Sequence, residues 1–365
     1  MNRHDPMPRS RRLGPKLSAA AAAFGAIVLA MTALTACMPQ ASGGEEGKIA
    51  LLLPDAKTAR YETFDRPFFE ARVAELGDFQ VLYSNADQDA AKQQQQAESA
   101  LAAGAGVLVL DPVDGKAAAS IVAQAKAQGV PVVSYDRLIA GGDLAYYVSF
   151  DGEKVGELQA TALVDALDAA GSSGGGILMI NGSPTDSNSA LFRDGAEEVL
   201  AQSGLHVLAA YDTPDWSPDK AQEWVAGQIS QFGDDIAGVY AANDGTASGA
   251  VSALKAAAVD PLPIVTGQDA ELSALQRIVT GDQYMTVYKA IKPQAELAAN
   301  VAVALLRGGT VTAPMETDGT PTTLLQPVAV TIDNILETVV EDGFWTIDDI
   351  CTPEYAAACR AAGIL

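Results

Sequence analysis

Val132-Val-Ser-Tyr135-Asp136-Arg137-Leu-Ile-Ala-Gly141-Gly142-Asp-Leu-Ala-Tyr-Tyr-Val148-Ser149-Phe150-Asp151-Gly-Glu-Lys-Val155-Gly156 holds two short runs of apolar, β-branched and aromatic residues. Each run ends on an acid: Asp136, followed by Arg137, in the first and Asp151 in the second. A glycine pair separates them, and a helical pattern begins near Glu153. Such a stretch reads as the end of one α/β domain, a crossing, and the start of a second. On that reading Asp136 and Arg137 face a cleft that the second domain closes.

The same rhythm extends outward in both directions. Apolar runs at 48–53, 79–83, 107–110 and 130–133 precede the stretch, with helical patterns at 62–76, 89–103 and 116–128 between them. After it come runs at 177–180, 206–210, 236–241, 264–266 and 284–288. These alternate with helical patterns at 153–170, 191–203, 217–232, 247–257, 272–280 and 293–307. The glutamines at 93–96 are interleaved with apolar residues and read as one helix surface. Strands alternating with helices predict a parallel, doubly wound α/β architecture. The units are too many for one sheet, and 365 residues suit two lobes.

What ends the strands is informative. Asp55, Asp111, Asp136, Asp151, Asn181, Asp212, Asn243, Asp269 and Lys289 all fall at carboxyl ends, where ligands bind in open α/β sheets. Some of them have a plainer task, capping the next helix.

The N-terminus lies outside this pattern. Arg3, Arg9, Arg11, Arg12 and Lys16 precede a charge-free apolar run at 17–36 that reads as a signal peptide. It ends in Leu34-Thr35-Ala36-Cys37, which resembles a lipobox; Cys37 would be lipidated and become the mature N-terminus. Removing residues 1–36 takes five basic residues and one acidic residue and leaves a net charge of −27. Nucleic acid is excluded as a partner, because phosphate binding needs a basic face. Cys351 and Cys359 remain, and export favours a disulfide between them. A helix capped by Thr352 would set Cys359 roughly 10 Å along its axis, beyond the ~7 Å that a bridge spans, so the chain at Cys351 must fold back.

Catalytic signatures are absent. The mature chain has one histidine, His206, at a strand start, which disfavours a Ser-His-Asp system or a histidine-rich metal site. Gly171 to Gly176 precedes a strand and is not a phosphate cradle. No cofactor or metal site is expected. Carboxylates are plentiful, so counting alone leaves a glycoside-active enzyme open. The mix at strand ends (Asp, Asn, Arg, Lys and a few aromatics) suits a neutral polyol. Carboxylates and amides accept from hydroxyls, Arg and Lys donate to oxygens, and an aromatic face covers C–H. Trp216, just before a helix, is the stacking candidate.

Six blocks then stand out in order: Tyr135-Asp136-Arg137; Ser149 to Ala160; Gly182-Ser-Pro-Thr-Asp186-Ser-Asn188 through Arg193; Asn243-Asp244 through Gly249; Gly267-Gln-Asp269-Ala-Glu; and Met285-Thr-Val-Tyr-Lys289. Together, from about Lys48 to Phe344, they resemble the D-xylose-binding proteins of ABC sugar importers and the related multiple-sugar (aldose) binding proteins. The resemblance implies a periplasmic-binding-protein fold of type I: two Rossmann-like, doubly wound parallel-sheet lobes joined by three crossings. It implies an N-terminal lobe at 48–148 plus about 286–325 and a C-terminal lobe at 149–285 plus about 326–345, with 37–47 a linker and 346–365 a cysteine-containing tail. Carried over by motif, Arg60, Tyr61, Asp136 and Arg137 would bind sugar from the first lobe. Asp186, Asn188, Trp216, Asn243, Asp269 and Lys289 would complete the site, while Asp151 and Arg193 (at a helix start) stay structural. Ser187 stands where the family often has Asn, and Tyr61 where Trp is common; both bear on the preferred sugar. The implied role is a monomeric, lipid-anchored extracytoplasmic receptor that delivers an aldose, D-xylose foremost, to an ABC permease and its ATPase. The alternatives are a multiple-sugar receptor with a chemosensory role and a glycoside-active enzyme.

Overall fold

The computed structural model describes residues 47–365. The leader and Cys37 lie outside the described residues. The first strand, β1 (Gly47–Leu53), is apolar on both faces because helices cover both. Ile49, Leu51 and Leu53 point into one core, and Ala50 and Leu52 into another. A π-helical turn, Tyr61–Asp65, leads into α1 (Arg66–Leu76), followed by β2 (Phe79–Asn85), α2 (Ala90–Ala102) and β3 (Ala105–Leu110). The glutamines at 93–96 do lie on one helix, α2, whose N-cap Asp89 accepts from Ala91 N and Lys92 N. Then come α3 (Ala119–Ala127), β4 (Val132–Tyr135) and β5 (Tyr146–Phe150). The third helix starts later than 116, because Asp114 first ties the N–H groups of Lys116 and Ala117 into a turn.

The chain crosses at Asp151, which accepts from Lys154 N as N-cap of α4 (Gly152–Ala169). The second half runs β6 (Gly176–Asn181), α5 (Ser187–Gln202), β7 (His206–Asp212), α6 (Pro218–Phe232), β8 (Ile236–Ala241), α7 (Asp244–Ala256), β9 (Ile264–Val265), α8 (Leu272–Thr280) and β10 (Met285–Tyr288). Helix α5 begins four residues before the expected 191, since the Asp186 carboxylate caps it through Asn188 N. Arg193 accordingly sits inside that helix and not at its start; it pairs with Asp194 on the surface. Helices α4 and α5 cross closely. A Cβ on Gly156 would lie 2.0 Å from the Phe192 carbonyl oxygen, and one on Gly195 would lie 2.1 Å from that of Glu153.

After β10 the chain returns through α9 (Ile291–Leu306), β11 (Met315–Thr317) and β12 (Thr320–Leu325), then crosses again to β13 (Val328–Thr331). One sheet has the order β11-β12-β5-β4-β3-β1-β2 and the other β7-β6-β8-β9. β10 extends the second sheet through a bridge between Gln268 and Val287. Neither region is wholly parallel: β11 pairs antiparallel with β12, and β13 with β10, where the chain doubles back after its crossings. Alternating residues of the second sheet also fill two cores, Ile177 and Met179 on one face, Leu178 and Ile180 on the other.

The tail is part of the packed fold. Helices α10 (Ile347–Ile350) and α11 (Ala356–Ala361) follow a capping box at Thr346. Thr352 does not cap a helix; the chain turns first, so Cys359 lies four positions into α11 and meets Cys351 at a Cα–Cα distance of 5.9 Å.

Candidate functional site

The carboxyl ends of the two sheets face each other across a small polar cavity. Arg60, Tyr61, Asp136, Arg137, Asp186, Asn188, Trp216, Asn243, Asp269 and Lys289 all line it, and all are buried. Thr58, Phe192 and Gln268 line it as well. Two of these three were within reach of sequence reasoning, since Phe192 and Gln268 lie inside motif blocks quoted for their neighbours. Thr58 carried no signal.

On the first sheet, Arg60 organises the wall. Its Nε and Nη2 donate to the two carboxylate oxygens of Asp65 at 2.9 and 2.7 Å, and its Nη1 donates to Asp136 Oδ1 at 3.0 Å. Gln294 accepts from Nη2 at 2.8 Å. This fork geometry is what a guanidinium offers and an ammonium does not. Tyr135 donates from behind to Asp65. Burial works against the Asp136 carboxylate, but Arg60, then Lys289 and Arg137, outweigh it and hold its pKa at about 2. Asp136 therefore stays ionised inside the protein.

Arg137 joins the two sheets. Its Nε lies 2.9 Å from Asp186 Oδ2, its Nη2 donates to Tyr61 Oη at 3.1 Å, and Asp55 and Asp111 stand 3.7 and 3.5 Å away. The strand-end acids Asp55 and Asp111 thus sit behind the cavity. Burial pushes Asp111 well above the ordinary carboxylate range, and Arg137 offsets this only in part. Asp186 is raised too, by burial first, with Arg137 opposing.

On the second sheet, Trp216 Nε1 donates to Asp186 Oδ2 at 3.0 Å. Gly182 leaves room for the indole, because a Cβ there would lie 1.9 Å from the ring. Asn188 donates from Nδ2 to the Asp136 carbonyl at 3.2 Å. Asn243 divides its side chain: Oδ1 accepts from Thr246 N at 2.8 Å as N-cap of α7, and the residue also lines the cavity. Lys289 Nζ pairs with Asp269 Oδ1 at 3.0 Å and lies within 6 Å of the Phe150 and Phe192 ring centres. Asp136, Trp216 and Asp269 have φ of 58°, 53° and 103°. Left-handed backbone at non-glycine residues is costly and concentrates at binding and catalytic sites.

Ser187 does not line the cavity. Its Oγ accepts from Leu138 N at 2.7 Å, a bond between the lobes, so this departure from the family pattern acts on the rim and not on the ligand wall. Gly115 N and Thr185 O meet at 3.1 Å on the same rim. Among the described residues no group of three His, Cys, Asp or Glu side chains is placed to hold a metal ion.

Comparisons with known proteins agree with this architecture. Residues 49–310 match the family described as periplasmic binding protein domain. The chain is 37% identical over 311 residues to the D-xylose-binding periplasmic protein of Haemophilus influenzae, covering 83% of this chain and 92% of that one. It is 30% identical over 355 residues to the multiple sugar-binding periplasmic receptor of Rhizobium radiobacter, covering 91% and 98%. An ABC transporter solute binding protein from Clostridium phytofermentans, solved with bound β-D-glucose, matches with a TM-score of 0.77 at 27% identity, over 83% of this chain and 99% of that one. With two doubly wound lobes, three crossings and a polar cavity between strand ends, the chain belongs to the periplasmic binding protein family, beside relatives that bind D-xylose and multiple sugars.

Proposed function

We propose that this protein is an extracytoplasmic receptor that encloses one neutral monosaccharide, D-xylose first among the candidates, and delivers it to an ABC permease and its ATPase. The observation that carries the reading is the chemistry of the cavity wall. Carboxyl groups and guanidiniums alternate there with amides and aromatic faces, all buried and supplied by both sheets. That pattern satisfies hydroxyls that both donate and accept, and covers ring C–H on an aromatic face. The buried oxygen Gln268 Oε1 has no hydrogen-bond partner within the protein and is available to a ligand hydroxyl.

Binding without bond cleavage fits the same wall. Asp136, Asp186 and Asp269 are each held by a cation at about 3 Å, which leaves no free acid–base pair for glycoside chemistry. The leader and Cys37 support anchoring by lipid at the outer face of the cell membrane, with the receptor acting as a monomer. Calorimetry with xylose, glucose, galactose and arabinose tests the ligand class. Xylose binding most tightly supports the reading, equal affinity across the panel favours a multiple-sugar receptor, and no binding refutes both. Mass spectrometry of the mature N-terminus tests lipidation; an unmodified Cys37 would remove the anchor.

A further inference from the structure

The cysteine-containing tail at 346–365 and the two aromatic residues just before it, Phe344 and Trp345, lie beyond the stretch that matches the family model, which ends at residue 310, yet they reach the site's supports. Phe344 stacks on Phe64 with ring centres 3.9 Å apart, and Trp345 meets the same ring edge-on at 5.0 Å. Phe344 also packs against Tyr288 at 5.1 Å. Trp345 Nε1 donates to the Ala270 carbonyl at 2.9 Å. Each contacted residue neighbours a cavity residue in sequence. Phe64 lies in the turn that opens on Tyr61, Ala270 follows Asp269, and Tyr288 precedes Lys289.

Two physical points give these contacts weight. Asp269 and Ala270 both have positive φ, 103° and 50°, a conformation that persists only where surroundings enforce it. Trp345, which donates to the Ala270 carbonyl, and Thr286, whose Oγ1 accepts from Ala270 N at 3.1 Å, are the side chains that hold Ala270. Phe64 belongs to the first lobe and Ala270 to the second. The contacts of Phe344 and Trp345 therefore touch both lobes. The tail itself is too short to hold this place alone. Helices α10 and α11 have four and six residues, far below what is stable in isolation. The bridge between Cys351 and Cys359 ties them together, with Ile350, Cys359 and Ile364 buried against Leu275 and Ile278.

We propose that residues 344–365 form a disulfide-clasped strap that slows opening of the closed receptor, with Trp345 as its positioning residue. The strap sets how long a ligand is held, not which ligand enters. This inference rests on the receptor reading above.

The test uses the full-length mature protein as wild type, Trp345→Phe, Phe64→Ala and the Cys351→Ser/Cys359→Ser double variant. Dissociation of radiolabelled xylose, or of the panel sugar that binds best, is followed after a chase of unlabelled sugar. Trp345→Phe keeps the ring contact and loses the N–H donor. The strap predicts release about 10-fold faster in Phe64→Ala and in the double variant, and a smaller gain in Trp345→Phe. Association is expected to stay within about 2-fold, because rate differences among related complexes lie mostly in dissociation. Unchanged dissociation in all three overturns the proposal, as does an equal loss in both rates. Hydrogen exchange without sugar supplies a second readout: 59–65 and 269–271 should exchange faster in the double variant, and identical exchange also overturns the strap. A wild type that binds no sugar but shows the exchange difference refutes the receptor reading and retains the strap.

Discussion

Arg137 and Asp186 meet at 2.9 Å between the two lobes, both about 3–4% exposed. The same carboxylate oxygen accepts from Trp216, and the other accepts from Asn188 N. One side chain thus caps a helix, holds the Trp216 indole and pairs the lobes. Asp186→Asn separates these duties, since Asn is as good an N-cap as Asp. The helix should survive and the cross-lobe charge pair should not. Breaking a buried ion pair costs about 3–5 kcal/mol, so sugar affinity should fall about 100-fold or more while the circular dichroism spectrum is retained. Affinity within a factor of three of wild type would remove this pair from the closing mechanism.

Gly182 offers a substitution that touches only the indole. Its backbone is not in the left-handed region, so alanine adds no backbone strain, but the new Cβ would overlap the Trp216 ring at 1.9–2.5 Å. Overpacking of this kind costs about 1–3 kcal/mol. Gly182→Ala is expected to weaken sugar binding by about 10- to 100-fold and to shift the tryptophan emission. Wild-type affinity would show that Trp216 does not form the ring platform.

The layers of the fold were legible in the sequence because parallel strands covered on both faces must be apolar throughout; the run from Leu51 to Leu53 and that from Val107 to Leu110 leave little choice. The type of residue at the site was legible for a related reason, because polar residues interrupt such strands only at their ends. Which strand-end acid faces the ligand was not. Asp55 and Asp111 have the same local pattern as Asp136 and Asp269, yet they stand behind Arg137, and only the packing of the first lobe decides that. The left-handed backbone at Asp136, Trp216 and Asp269 was equally hidden, since no glycine marks it. Gln294 supports Arg60 from across 234 positions, with nothing local to announce it. Helix α5 starts ahead of its apolar pattern because Asp186 lines the cavity and also caps the helix, a double duty that the local sequence does not mark.

The tail's bridge closes a loop of eight positions. In the chain-entropy account such a loop stabilises by about 2.5 kcal/mol. Because Cys359 and Ile364 share a core with Leu275 and Phe344, the loss should extend beyond the tail. Cys351→Ser/Cys359→Ser should lower the urea midpoint with an unchanged slope. An unaltered midpoint would mean that the tail folds and unfolds apart from the lobe it covers.

Stability should depend on pH through two carboxyls near Asp269. Burial lifts Asp244 to about 7, with Arg277 opposing; burial and then the charges of Asp244 and Asp269 lift Glu271 to about 8. Both values lie above those of the unfolded chain, so the folded protein holds protons there that the unfolded chain has released. Their contribution is complete below about pH 4 and is lost as the pH rises through 7 and 8. Asp136, held at about 2, acts in the opposite sense: its contribution is present above about pH 4 and is lost as the pH falls toward 2. The midpoint for unfolding should therefore peak in the mildly acidic range and decline toward pH 8, by at most about 1.4 kcal/mol per pH unit for each proton. Asp111 and Asp186, also raised by burial, act in the same sense, so Glu271→Gln removes one of these titrations and should flatten part of that decline. Urea unfolding of wild type and variant from pH 3 to pH 9 checks the sign, and a wild-type midpoint that rises from pH 5 to pH 8 would contradict it.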